Sequence, residues 1–183
     1  VLEDLASAGA ERVMLCPPRA EFELTWCHDA THVALVKTVC RCGPASLDTD
    51  THVVPKSWDA SLRAAGGVAE ASRQVLAGRY RRAFCAVRPP GHHAERDRAM
   101  GFCLFNNVAL AAEALKREGL ERIAIVDFDV HHGNGSQQIF WDDPAVFYAS
   151  CHQYPLYPGT GRVDEIGGPA APGGILNHPL PAG

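Results

Sequence analysis

Residues 123–135 read IAIVDFDVHHGNG, and no other stretch limits the fold of this chain as tightly. Ile123, Ala124, Ile125 and Val126 make a short apolar run, the pattern of a strand buried in a sheet. The run leads straight into Asp127, Asp129, His131 and His132. Alternate residues of a strand share a face, so Asp127, Asp129 and His131 are expected to project together. Two carboxylates and an imidazole at the carboxyl end of a buried strand read as half of a metal site. Four polar groups gathered there would be expensive to bury without a purpose.

The rest of the chain supplies a frame for that strand. Helical spacing is expected at residues 1–8, closed by Gly9, and at 29–39 with Asp29 as N-cap. Residues 41–55 read as loop. The longest helix is expected at 57–77, capped by Ser57 and closed by Gly78. Gly66 and Gly67 lower its helix propensity, so close packing on a neighbour is the expected compensation. Residues 83–87 (AFCAV) read as a second apolar strand running into a long aperiodic segment, RPPGHHAERDRAMGFCLFNN. A helix follows at 107–118, then the 122–127 strand, a short helix at 135–140 and a strand at 146–151. Residues 152–183 read as loop. Strands alternating with helices predict an α/β fold, a parallel sheet with helices on both faces, whose ligands bind beyond the carboxyl ends of the strands.

Bulk properties narrow the class. A length of 183 residues with 46% hydrophobic content suits one globular domain with a real core. The formal net charge of -4 and the lack of a basic run argue against direct nucleic-acid binding. No apolar segment is long enough for a bilayer, so no membrane association and a cytoplasmic setting are expected. Seven cysteines, odd in number, form no pair of CxxC motifs. Cys40 and Cys42 with His28 and His32 fit no standard zinc module, and the cysteines read as small buried residues in a reducing compartment.

The second half of the chemistry lies at His92-His93, on the rigid turn made by Pro89-Pro90-Gly91. Histidine accepts and returns a proton near neutral pH. Asp127 and Asn134 are natural partners for the far ring nitrogens. Asp127 would add charge to its histidine, while Asn134 would orient without adding charge and leave its histidine the better base. Asp129 and His131 are donors that suit zinc or ferrous iron. His152, Asp164 and His178 are candidates for a third ligand, none placed by a pattern. Gly159-Thr160-Gly161 has no following lysine or helix start to make it a phosphate loop.

RPPGHHA, MGFCLFNN, DFDVHHGNG and HQYPLYPGTG, in that order and spacing, resemble the histone deacetylase family in its zinc-dependent, class II-like bacterial form, over roughly residues 27–168. The resemblance implies an arginase-like α/β fold and zinc-dependent removal of acetyl groups from acetyl-lysine side chains. It implies Asp129 and His131 as zinc ligands and His92 and His93 as the catalytic pair, with His93 the general base. Asp127 would support His92, and Asn134 His93. Gly101, Phe102 and Tyr157 would form the tunnel for the acyl-lysine, with Asp50 at its rim. Asp127, Asp129, His131 and Ser150 match a structural potassium site, and Phe140, Asp143 and Val146 part of a second.

The family's third zinc ligand, an aspartate, and its oxyanion-stabilising tyrosine are expected beyond Gly183. The chain therefore reads as one partial deacetylase domain, residues 1–183, truncated at both ends and competent only in a full-length parent. Its implied partner is an acetylated lysine on a protein, or an acetylated small amine; oligomers are compatible. Acetylpolyamine deacetylation is the alternative within the class. A non-catalytic fragment with a partial metal site is the alternative outside it. A binuclear arginase-like hydrolase would need more ligands at this sheet edge.

Overall fold

A computed structural model describes residues 17–183. The helix expected at 1–8, and Cys16, lie outside the described residues. The elements run α1 (Glu21–Leu24), α2 (Ala30–Cys42), β1 (Ala45–Asp48), β2 (Thr51–Val53), α3 (Pro55–Leu76), α4 (Asn107–Arg117), β3 (Ile123–Asp127), α5 (Asn134–Ile139), β4 (Val146–Gln153) and β5 (Ile175–Leu180). β1 and β2 form an antiparallel hairpin, while β3, β4 and β5 form a parallel sheet in that order.

The sheet organises the core. Ile125, Val146, Tyr148 and Ile175 face inward and join one apolar cluster with Phe105, Leu110, Ile139 and Phe140. The register sets Asp127 beside Ser150, and Ser150 beside Asn177, so polar residues line up at the carboxyl ends of adjacent strands. The opposite face carries Val126, Phe128, Phe147, Leu176 and Leu180, all exposed, with Phe128 at 87%. Parallel sheets are ordinarily covered on both faces. Among the described residues, helices cover only one.

α3 and α4 pack through small residues. Ala69, Ala111 and Ala114 are buried against each other, with Trp26 and Val68 at the margin. Alanine here lets the helix axes approach closely while keeping full helix propensity. α3 begins two residues before the expected start. Pro55 opens it, and the Ser57 hydroxyl accepts a hydrogen bond from the Val54 N–H at 3.0 Å, so Ser57 caps from inside the first turn. Asp29 does occupy the N-cap position of α2, but its side chain makes no capping bond.

Three further expectations need correction. Residues 83–87 are not a strand; they are mostly exposed, with Phe84 at 82%, and lie outside the described sheets. Residues 152–183 are not all loop: β4 runs on to Gln153, and β5 adds an edge strand whose Pro179 is tolerated there. Residues 41–55 contain the β1–β2 hairpin. The cysteines also divide: Cys27, Cys40 and Cys103 are buried, but Cys42 and Cys151 are exposed.

The close packing expected at the glycine pair falls on Gly66. A Cβ there would run into the carbonyl of Pro17 and sit 2.8 Å from the Arg19 nitrogen, whose N–H donates to Leu62. Gly66→Ala gains about 1 kcal/mol of helix propensity but forces a backbone shift of the kind that costs about 1–3 kcal/mol. Thermal unfolding of the full-length protein should therefore show a lower Tm for Gly66→Ala. A higher Tm would mean that the 17–19 segment is not seated there.

Candidate active site

The carboxylate of Asp127, at the end of β3, is the hub of the site. Its Oδ2 accepts from His92 Nδ1 at 2.9 Å and from the Tyr148 hydroxyl at 2.9 Å, and its Oδ1 accepts from the Asp129 N–H at 3.2 Å. Burial pushes this carboxyl up, but the hydrogen bond and charge of His92, with the Tyr148 and Asp129 donors, outweigh it and hold the group below the usual range. Burial and the Asp127 charge raise the Tyr148 hydroxyl well above the ordinary phenol, so it stays a donor. Gly133 is required beside this hub, since a Cβ would strike Asp127 Oδ2 and the Tyr148 hydroxyl.

His93 stands next to His92, ring centroids 4.0 Å apart, yet has a different partner: its Nδ1 lies 2.9 Å from Asn134 Oδ1. Burial, then the neighbouring His92, lowers its pKa to about 4, so the ring is neutral near pH 7. Gly101 packs on its face; a Cβ at Gly101 would strike the imidazole. The loops that carry the pair are tied from behind to the starts of α4 and α5. Asn106 caps α4 through Oδ1 to the Ala109 N–H at 3.1 Å, and its Nδ2 donates to the Ala94 carbonyl and to Ser136 Oγ. Asn107 Nδ2 donates to the Pro89 carbonyl at 3.0 Å. RPPGHHA, FNN and HHGNG are thus three faces of one polar joint.

At the mouth, Asp129 and His131 are both partly exposed, and Asp129 Oδ1 lies 3.1 Å from His131 Nδ1. Two ligands of one tetrahedral zinc, each about 2.0 Å from it, would sit about 3.3 Å apart. The donor types and spacing therefore fit two positions of such a site. Among the described residues no third group joins them. His152 is turned away, with Nδ1 at Ser150 Oγ and Nε2 at the Gly161 carbonyl. Asp164 pairs with Arg162, and His178 is exposed on β5.

The Tyr157 ring stands against both His93 and His131, at centroid distances of 5.2 and 6.0 Å. Burial, Asp50 and Asp48 push its hydroxyl up to about 12. Asp50 belongs to the β1–β2 turn, which is fastened to the site: Thr51 Oγ1 accepts from the Phe102 N–H at 3.1 Å, and Asp48 pairs with Arg98 at 3.2 Å. Phe102 adopts φ +66°, rare for a bulky residue, and its ring is exposed beside Gly101. Ser150 is buried, its hydroxyl 2.9 Å from His152 Nδ1 and its backbone in register with Asp127.

Sequence reasoning missed four contributors. Tyr148 looked like another β4 residue, and only the inward alternation of that strand could have marked it. Glu95 follows the histidine pair by two residues, and its Oε1 accepts from Asn134 Nδ2 at 2.7 Å. His28 supports the same loop, with Nδ1 at the Glu95 carbonyl and Nε2 accepting from the Asn106 N–H. His132 is buried behind the Tyr157 loop. Its Nδ1 is 2.8 Å from Thr160 Oγ1, and its Nε2 is 3.0 Å from Gln137 Oε1, while Gln137 Nε2 donates to Glu165 at 2.6 Å.

Comparison with known proteins shows the family. The model of the histone deacetylase domain matches residues 1–183. A probable deacetylase of Archaeoglobus fulgidus is 41% identical over 95% of this chain and 49% of its own length. Histone deacetylase 15 of Arabidopsis thaliana is 41% identical over 100% of the chain and 34% of its own length. The solved HDA15 HD domain superposes with a TM-score of 0.92 at 38% identity, covering 97% of this chain and 52% of that one. The chain belongs to the histone deacetylase family. It spans about half the length of the first curated relatives it matches. No helix of the described residues is long and apolar enough to cross a membrane.

The buried histidines make stability depend on pH. Burial lowers His28 to about 3, and burial with the neighbouring His152 lowers His132 to about 4, from a usual 6.5. Below 6.5 the unfolded chain binds protons that the folded chain refuses. Stability is therefore lost as pH falls from 6.5 towards 4, by about 1.4 kcal/mol per pH unit for each histidine. Urea midpoints of the full-length protein should fall between pH 7 and pH 5; equal midpoints would contradict the neutral burial of these rings.

Proposed function

We propose that the full-length protein is a zinc-dependent amidohydrolase that removes acetyl groups from acetyl-lysine side chains of proteins. The observation that carries the reading is the split histidine pair, one ring on a carboxylate and one on an amide, set beside two zinc-type donors. Asp129 and His131 would hold the ion together with a ligand from outside the described residues. When bound, the metal would supply Lewis-acid polarisation of the acyl carbonyl and a more acidic water.

The chain's own residues do the rest. His93, neutral and oriented by Asn134, takes the proton of the attacking water through Nε2. His92, hydrogen-bonded to the Asp127 carboxylate, stabilises positive charge in the pair as a protonated histidine delivers a proton to the leaving amine. Tyr157, Gly101 and Phe102 enclose the acyl-lysine, and Asp50 on the hairpin turn accepts hydrogen bonds from the substrate backbone. A structural potassium ion held by Asp127, Asp129, His131 and Ser150, partly through backbone oxygens, would brace the strand ends. Relatives named histone deacetylase support a protein substrate.

In the full-length protein, His93→Ala should abolish hydrolysis of an acetyl-lysine peptide while zinc content stays the same. Retained turnover would remove His93 as the base. Asp129→Ala should instead lose the metal, read by elemental analysis. An Asp129→Ala protein with full zinc occupancy would contradict the ligand assignment.

A further inference from the structure

The catalytic value of His93 depends on which ring nitrogen carries its proton, and that choice is made two residues away. Asn134 is buried, with its amide between two partners: Oδ1 at 2.9 Å from His93 Nδ1, and Nδ2 at 2.7 Å from Glu95 Oε1. The two ends of an amide are nearly identical in shape, so only its partners decide which way it points. A carboxylate can only accept, so the amide nitrogen must face Glu95 and the amide oxygen must face His93. His93 Nδ1 is then the donor, and Nε2 keeps the lone pair that a base needs.

We propose that Glu95 is a positioning residue that sets the tautomer of His93 through Asn134. The proposal rests on the reading of His93 as the base. Without Glu95, the remaining partner of Asn134 Nδ2 is the Met100 sulfur at 3.3 Å, a weak acceptor. The amide is then free to rotate and offer its NH2 to His93 Nδ1, which moves the ring proton to Nε2. Glu95 is well placed to prevent this. Its N–H donates to the Arg98 carbonyl at 2.9 Å, and its own carbonyl is held by the buried His28 at 2.8 Å. His92 needs no such helper, because Asp127 offers it oxygens alone.

The test reads the tautomer directly, by 15N NMR of the His93 ring in the full-length protein, alongside kcat and KM for an acetyl-lysine peptide. The parent should show Nδ1–H. Glu95→Ala should move the ring towards Nε2–H and lower kcat about 10- to 100-fold, the usual scale for losing such a support, with KM and zinc content unchanged. Adding Asn134→Asp to Glu95→Ala should restore Nδ1–H, since an aspartate has no wrong way round; a purely structural role for Glu95 would not be rescued this way. If Glu95→Ala does not fold, Glu95→Lys serves, because a donor in place of an acceptor reverses the amide and should give Nε2–H. An unchanged Nδ1–H ring in the folded variant overturns the proposal. Predicted tautomer changes in a protein without deacetylase turnover would uphold the role of Glu95 and sink the functional reading instead.

Discussion

The half-buried carboxylate of Asp127 is the interaction on which the site depends. It ends β3 and gathers a histidine from one loop, a tyrosine from β4 and the backbone of the next turn. A carboxylate in that setting is stable only when its oxygens are satisfied, and here three donors come from three segments. The same bonds fix the entry to the DFDVHHGNG turn, so Asp129 and His131 leave it side by side at the mouth. Removing the carboxylate would leave Tyr148 and His92 without their acceptor and loosen all three segments at once.

Around that hub the two adjacent histidines are made unlike. They share a peptide bond and nearly touch, yet one faces a charge and the other a neutral amide. The donors around Asp127 hold its carboxyl below the usual range, while burial and the neighbouring His92 keep His93 neutral. Placing the carboxylate of Glu95 behind the amide, rather than against the ring, orients His93 without the direct charge that would raise its basicity. The mouth is built on a similar plan. His132, Gln137 and Glu165 hold the loop after Tyr157 from beneath, and Thr51 holds the strained backbone of Phe102 from the hairpin.

Much of this was legible in the sequence where the chemistry is local. The apolar run before Asp127 marked β3, and the acceptor types of Asp127 and Asn134 marked them as partners of the histidine pair. The hairpin was hidden because β1 and β2 are short, polar and held by Phe102 and Arg98 from far along the chain. β5 was hidden by Pro179 inside a strand-like run. Residues 83–87 misled for the opposite reason: an apolar run predicts a buried strand, yet here it lies outside the described sheets and is mostly exposed. Glu95 carried no local signal, and His132 was marked only as one of the polar groups after β3, since the partners that select them are brought close only by folding.

The open apolar face of the sheet and the coverage of about half of the relatives set the terms for a functional test, which belongs to the full-length protein. The most direct measurement is acetate release from an acetyl-lysine peptide before and after stripping of metal by a chelator. Turnover that disappears on stripping and returns with added zinc is the predicted result. Turnover that survives complete removal of metal would contradict a site built on Asp129 and His131.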